Sequence, residues 1–210
     1  MQRLIGVPAE KTVTIYNPVE AERIRDLMTK PVNHRWLKDR TAPVILAVGR
    51  LTEAKDYPTL LRAFARLRAN RPARLIILGQ GEEEARLKAL ASELGIAGDT
   101  DFVGYQKNPF VWMARCDLYV MSSAWEGFGN VLVEAMVCGA RVVSTDCPSG
   151  PGEILEHGRW GRLVPVADAE TMAEAMAEAL DDPAPPDVLR RSKMFDARRI
   201  RGEYLEALFY

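Results

Sequence analysis

Histidine is nearly missing from this chain. His34 and His157 are the only two, and they lie far apart without metal-ligand spacing. A Ser-His-Asp or Cys-His catalytic set therefore has almost nothing to draw on. Cysteine is scarce as well. Cys116, Cys138 and Cys147 are odd in number and show no C-x-x-C spacing. That excludes a full disulfide framework and a zinc ribbon, and it fits reduced, buried thiols in a cytoplasmic setting. No apolar run approaches the ~20 residues of a membrane-spanning helix, and residues 1–8 lack the apolar core of a secretory leader. Excess charge is missing too: 28 Lys+Arg against 29 Asp+Glu leave a formal net charge of -1. Nothing in that balance calls for nucleic acid or an anionic membrane as partner. There is no internal repeat and no low-complexity segment. What remains is an ordinary globular composition, 48% hydrophobic and 27% charged over 210 residues. That length suffices for one sizeable core or two small ones.

The patterning that is present is regular. Residues 12–16 alternate and stop at Asn17-Pro18, which predicts a short strand and a turn. Residues 20–40 are polar and mixed in charge, predicting a short helix and a loop. From Pro43 onward, continuous apolar runs alternate with helical spacing. The runs are 44–48, 75–78, 101–104, 118–121, 141–145 and 161–164. Between them, Leu60, Leu61, Phe64 and Leu67, then Leu87, Leu90, Ala91 and Leu94, mark amphipathic helices. A helix from Asn130 ends at Gly139, a good C-terminal cap. Met172, Ala175, Met176, Ala179 and Leu180 mark another. Apolar strands alternating with helices predict an α/β fold: a doubly wound, mainly parallel, six-stranded Rossmann-like sheet with helices on both faces. One more helix is expected over 188–208. Its apolar residues are unevenly spaced, and part of it is expected to pack outside this chain. The organisation reads as a linker remnant over 1–40, a nucleotide-binding domain over 41–183 and a C-terminal helix within 184–210.

Ligands of such sheets bind beyond the carboxyl ends of the strands, and charge sorts the loops found there. The stretch Trp125-Glu126-Gly127-Phe128-Gly129-Asn130-Val131 leads from the fourth strand into a helix and then to Glu134. Its glycines permit a sharp turn and close backbone approach. No acid occupies residues 127–133, so the unpaired N–H groups and dipole of the helix start favour an anion. Glu126 and Glu134 bracket the turn and suit hydrogen bonding to paired sugar hydroxyls. The rival glycine turn, Gly79-Gln80-Gly81, runs into Glu82, Glu83 and Glu84, which would repel phosphate; it reads as structural. Arg50 and Lys55 follow the first strand. Either they are solvated and paired with nearby Glu53 and Asp56, or they clamp a diphosphate. Asp99-Thr100-Asp101 imitates a metal-binding D-x-D but precedes its strand, at the wrong end. Trp112 and Met113 read as core, and Arg190-Arg191 and Arg198-Arg199 as a solvated helix face.

Taken in order, several segments resemble the donor-binding half of retaining GT-B glycosyltransferases of the glycosyl transferases group one class. They are residues 47–51 with Lys55-Asp56, 78–82, 102–105, 126–136, Cys138-Gly139 and 142–146. The likeness covers roughly residues 12–182. It implies that Arg50 and Lys55 hold the donor diphosphate. Gly127, Phe128, Gly129, Asn130 and Val131 would supply backbone contacts to phosphate and sugar. Glu126 would bond the donor sugar beside the reacting carbon, as the catalytic-site carboxylate. Glu134 would take the ribose hydroxyls, and Tyr105 and Gln106 the base. Glu153 lies in a loop, 147–153, that is typical of the class. Arg141 stands where relatives often carry proline.

The resemblance further implies a nucleoside-diphosphate sugar as co-substrate, UDP first, with no cofactor and no metal. It implies hexosyl or N-acetylhexosaminyl transfer in cell-envelope polysaccharide synthesis. The acceptor would bind an N-terminal Rossmann-like domain outside this chain, whose linker begins near residues 6–8. A lipid-linked acceptor would bring the protein to the inner face of the membrane as a peripheral contact. The alternative is a freestanding, non-catalytic nucleotide or nucleotide-sugar binding module. A flavodoxin-like signalling domain would need a phosphorylatable Asp after the first strand, where Gly49-Arg50 stand.

Overall fold

The computed structural model describes residues 12–209; the expected linker start near residues 6–8 lies outside them. Six strands form one parallel sheet: β1 Val44–Val48, β2 Arg74–Leu78, β3 Thr100–Gly104, β4 Leu118–Met121, β5 Val142–Thr145 and β6 Arg162–Val164. Their spatial order is β3-β2-β1-β4-β5-β6, the doubly wound arrangement with its switch point between β1 and β4. All five pairings are parallel. Among the described residues, ten α-helices accompany the sheet: α1 Ala21–Leu27, α2 Arg35–Asp39, α3 Tyr57–Asn70, α4 Glu84–Glu93, α5 Phe110–Met113, α6 Asn130–Val137, α7 Pro151–Ile154, α8 Ala169–Asp181, α9 Val188–Ser192 and α10 Ala197–Phe209.

The continuous apolar strands serve two cores at once, because side chains alternate across a sheet. Ile45, Ala47, Leu75, Ile77, Leu118 and Val120 pack on α3, α4 and α8. Val44, Leu46, Ile76, Leu78, Tyr119 and Met121 face the other way, onto α6 and its neighbours. Trp112 and Met113 are buried in this second core, as expected. Arg141 donates to the carbonyls of Ala179 and Leu180 at 2.8 and 3.0 Å. It thereby satisfies orphan acceptors at the end of α8.

Three expectations need correction. Residues 12–16 form no strand. Val13 is exposed, and Tyr16 instead joins Phe128 and Phe195 in an aromatic cluster with centroids 5.4–5.8 Å apart. Among the described residues, the pairing nearby is a single bridge between Val19 and Asp196. The last helix is not continuous. It divides into α9, a 3₁₀ turn over Lys193–Phe195, and α10, because Phe195 turns inward and is fully buried. Finally, the Arg190-Arg191 pair is split. Arg191 is buried and donates to the carbonyls of Ile154 (2.8 Å) and Glu153 (2.7 Å) and to Glu156 (2.7 Å), so it caps the end of α7. Arg198 and Arg199 remain on the surface, paired with Glu22 and Glu203.

Candidate functional site

At the switch point the loops after β1 and β4 are sewn together. The Ser122 hydroxyl donates to the Lys55 carbonyl at 2.7 Å, and the Ala124 N–H donates to the Ala54 carbonyl at 2.9 Å. This brings Lys55 to Glu126: the Lys55 ammonium donates to Glu126 Oε1. The Ser123 hydroxyl donates to the same oxygen at 2.7 Å. Glu53 and Asp56 are therefore not the partners of Lys55. Asp56, with φ 42°, caps α3 by accepting from the Thr59 N–H. Arg50 is exposed and forms no ion pair with any described residue.

The glycine turn after β4 opens α6. Gly129 sits at the N-cap with φ 94°, and no side chain caps the helix. The first turn carries no acid; the Leu132 N–H donates to the Gly129 carbonyl at 2.9 Å, so the N–H groups of Asn130 and Val131 are the ones placed to meet an anion. A Cβ on Gly127 would meet nothing within 4 Å. Asn130 is exposed and Val131 half-buried, whereas Phe128 turns its ring into the Tyr16–Phe195 cluster. Behind the turn, a Cβ on Gly150 would stand 1.7 Å from the Phe128 carbonyl oxygen. The loop before α7 thus supports the turn backbone to backbone. Glu153 is exposed, and its carbonyl oxygen accepts from Arg191.

The other glycine pair is structural. A Cβ on Gly79 would reach 1.8 Å from the Gly49 oxygen, and one on Gly81 2.3 Å from the Leu51 oxygen. Their absent side chains let the β2 loop close on the β1 loop. The result is a cleft of about 470 Å³ beyond β1 and β2, lined by Gly49, Arg50, Gly79, Tyr105, Gln106 and Lys107, among others. Gly49 links this cleft to the Lys55–Glu126 junction, since its Cβ position lies 3.4 Å from the Lys55 Cε. The Tyr57 hydroxyl donates to the Gly49 carbonyl at 3.2 Å.

Electrostatics follow burial. The half-buried Glu134 carboxyl is pushed up by desolvation. Cys138 is pushed up to about 12, first by burial and then by Glu134. Tyr57 and Cys147 are raised by burial first and then by Glu126. Burial thus disfavours the thiolate form of both cysteines. The D-x-D look-alike is engaged elsewhere: Asp99 pairs with Arg68 and Arg74, and Asp101 with His34 at 3.0 Å. A larger depression of about 760 Å³ lies at the amino-end side of the sheet, between α3 and α8. Its charges are largely spent on one another, as in Arg71–Asp181 at 2.7 Å. We place the candidate site at the carboxyl ends instead.

Sequence reading missed Ser122, Ser123 and Lys107. Two hydroxyls immediately after a strand, just before Glu126, and a cation immediately after Gln106 were the available signals.

Comparison with known proteins follows the same line. A family model described as "Glycosyl transferases group 1" matches residues 30–195. The chain is 34% identical to an N-acetylgalactosamine-N,N'-diacetylbacillosaminyl-diphospho-undecaprenol 4-alpha-N-acetylgalactosaminyltransferase of Campylobacter jejuni, across 97% of this chain and 55% of the relative. It is 39% identical to the lipopolysaccharide core biosynthesis glycosyltransferase LpsE of Rhizobium meliloti, across 67% of this chain and 40% of that protein. Among solved structures, Anabaena HepE in complex with UDP-glucose superposes with a TM-score of 0.78 at 28% identity, covering 97% of this chain and 58% of HepE. The chain spans about half the length of the curated relatives it matches.

Proposed function

This chain belongs to the glycosyl transferases group 1 family, and from that premise we propose that it is the donor-binding half of a retaining glycosyltransferase that uses a nucleoside-diphosphate sugar. The observation that carries this reading is the meeting of Lys55 and Glu126 beside the uncapped start of α6. One locus holds a cation, a carboxylate and a helix N-terminus. That is the complement of a diphosphate joined to a sugar.

Arg50 and Lys55 face the diphosphate, with the N–H groups of residues 127–131 supplying further donors. Glu134 accepts the ribose hydroxyls, Tyr105 packs on the base and Gln106 bonds its edge. Glu126 accepts from donor-sugar hydroxyls near the reacting carbon. Chemistry proceeds by front-face attack, so configuration is retained. Negative charge grows on the departing diphosphate as the glycosidic bond breaks. The cations and helix dipole bind that growing charge more strongly than the ground state, which is what accelerates the step. They also supply the positive charge a metal would otherwise bring, so the reaction needs none.

UDP is the preferred carrier; HepE, whose structures contain UDP and UDP-glucose, supports that choice. The Campylobacter relative, named for a diphospho-undecaprenol substrate, supports a lipid-linked acceptor, as LpsE supports a cell-envelope product. The enzyme would then work at the cytoplasmic face of the membrane as a peripheral protein; no helix among the described residues is long and apolar enough to cross one.

A thermal-shift panel of UDP, GDP and ADP tests the reading. A ligand at about 100 times its Kd stabilises the native state by about 2.7 kcal/mol. For a chain of this size that amounts to several degrees. UDP is expected to give the largest shift, and no shift with any of the three would refute the assignment.

A further inference from the structure

Glu126 is held from two sides at one oxygen. Lys55 and Ser123 both donate to Oε1. Oε2 accepts no hydrogen bond from any described residue, and it is not sealed from solvent. Ser123 is itself fully buried at the end of β4. Its carbonyl accepts from the buried Thr145 hydroxyl at 2.6 Å, which ties it to the end of β5. Ser123 is therefore anchored through its backbone and directs its hydroxyl at one carboxylate oxygen. A glutamate free to rotate would lose rotamer entropy on meeting a ligand. Here that cost is met on folding, and a single acceptor is left open.

We propose that Ser123 is a specificity-positioning residue: with Lys55 it locks Glu126 so that Oε2 alone is presented to the hydroxyls of the donor sugar. The inference rests on the functional reading above and deepens it. Lys55 keeps Glu126 from repelling the neighbouring diphosphate, and Ser123 keeps it from rotating. A bare nucleoside diphosphate carries no donor-sugar hydroxyl, only those of its ribose, and does not sense Ser123. A sugar nucleotide does. Preorganisation of this kind appears as affinity for the group recognised, not as affinity in general.

The test is calorimetric titration of the whole chain, as wild type, Ser123→Ala, Glu126→Gln and the double variant. The ligands are UDP, UDP-glucose, UDP-galactose and UDP-N-acetylglucosamine. Ser123→Ala should bind UDP within about twofold of wild type. It should lose roughly fivefold, the size of one ordinary hydrogen bond, for whichever sugar nucleotide the wild type binds best. Glu126→Gln should lose at least as much sugar-dependent affinity, and the double variant no more than Glu126→Gln, because both act through one group. A folded Ser123→Ala protein with undiminished sugar affinity overturns the proposal. So does equal weakening of UDP and its sugars, or additive loss in the double variant. If Ser123→Ala does not fold, Ser123→Cys, which keeps the size but is a weak donor, carries the same comparison. A wild-type chain that binds neither UDP nor any of its sugars overturns the functional reading as well; binding with unchanged selectivity removes only Ser123.

Discussion

On the proposed reading, Glu134 serves the ligand at the expense of the fold. Burial raises its carboxyl above the ordinary range. The native state therefore holds that proton more tightly than the unfolded chain does. Its favourable contribution is complete at acid pH below the unfolded value and is lost as pH rises through the raised native value. Glu134→Gln removes an ionised, desolvated group, so it should raise the Tm at pH 7, with the gain fading toward pH 4. Melting curves across that range check the sign, and a gain independent of pH would rule out ionisation as its cause. The same variant should weaken UDP binding by roughly tenfold or more, the loss of a hydrogen bond to a charged group. Rising stability with falling affinity is the mark of a residue kept for function. Glu134 and Glu126 were legible in the sequence as carboxylates flanking an acid-free glycine turn. The partner of Glu126 was not. Lys55 lies 71 residues away, and nearer acids at Glu53 and Asp56 competed for it on paper. Asp56 was unavailable because it caps α3. Arg191 was misread for a related reason: a charged residue in a basic run looks solvated until the carbonyls it caps are folded beneath it.

Among the elements, the two turns around α6 separate space kept for a ligand from space kept for the chain. A methyl at Gly127 meets no protein atom, whereas one at Gly150 would lie 1.7 Å from the Phe128 oxygen at φ 106°. Gly127→Ala should leave stability within about 0.5 kcal/mol of wild type and weaken UDP binding, because the methyl would enter the proposed phosphate approach. Gly150→Ala should cost about 3 kcal/mol or more through strain and collision. Chemical denaturation paired with UDP titration of both variants decides the matter. A destabilised Gly127→Ala would make that glycine structural. The strands were the most legible elements, since an apolar run buried on both faces is a local signal. Residues 13–16 carry an equally good alternation but have no strand beside them among the described residues, and alternation alone does not supply a ladder to join. The 188–208 segment reads as one helix until Phe195 has a core to enter.

For the whole molecule, the two cores on opposite faces of one sheet explain why the chain has a definite carboxyl-end rim on which the loops collect. On that rim lie the groups proposed to hold a donor. We expect this chain, supplied with a UDP-sugar and a lipid-linked acceptor, to transfer sugar at no more than the background rate, because bringing an acceptor into line supplies much of the rate enhancement. Discontinuous assay with radiolabelled donor measures it; rapid transfer would mean that the chain carries a complete active site. In α10, Ile200 is buried while Leu208 and Phe209 are 72% and 73% exposed, in keeping with the uneven spacing read from the sequence. The sequence by itself determined the alternating elements, the turns between them and the sorting of the two glycine pairs by charge, because each depends on neighbours within a few residues. Only the tertiary structure decided the order β3-β2-β1-β4-β5-β6, and with it the adjacency of β1 and β4. Lys55, Ser123 and Glu126 meet because those two strands are neighbours, and no local pattern encodes which strands will be.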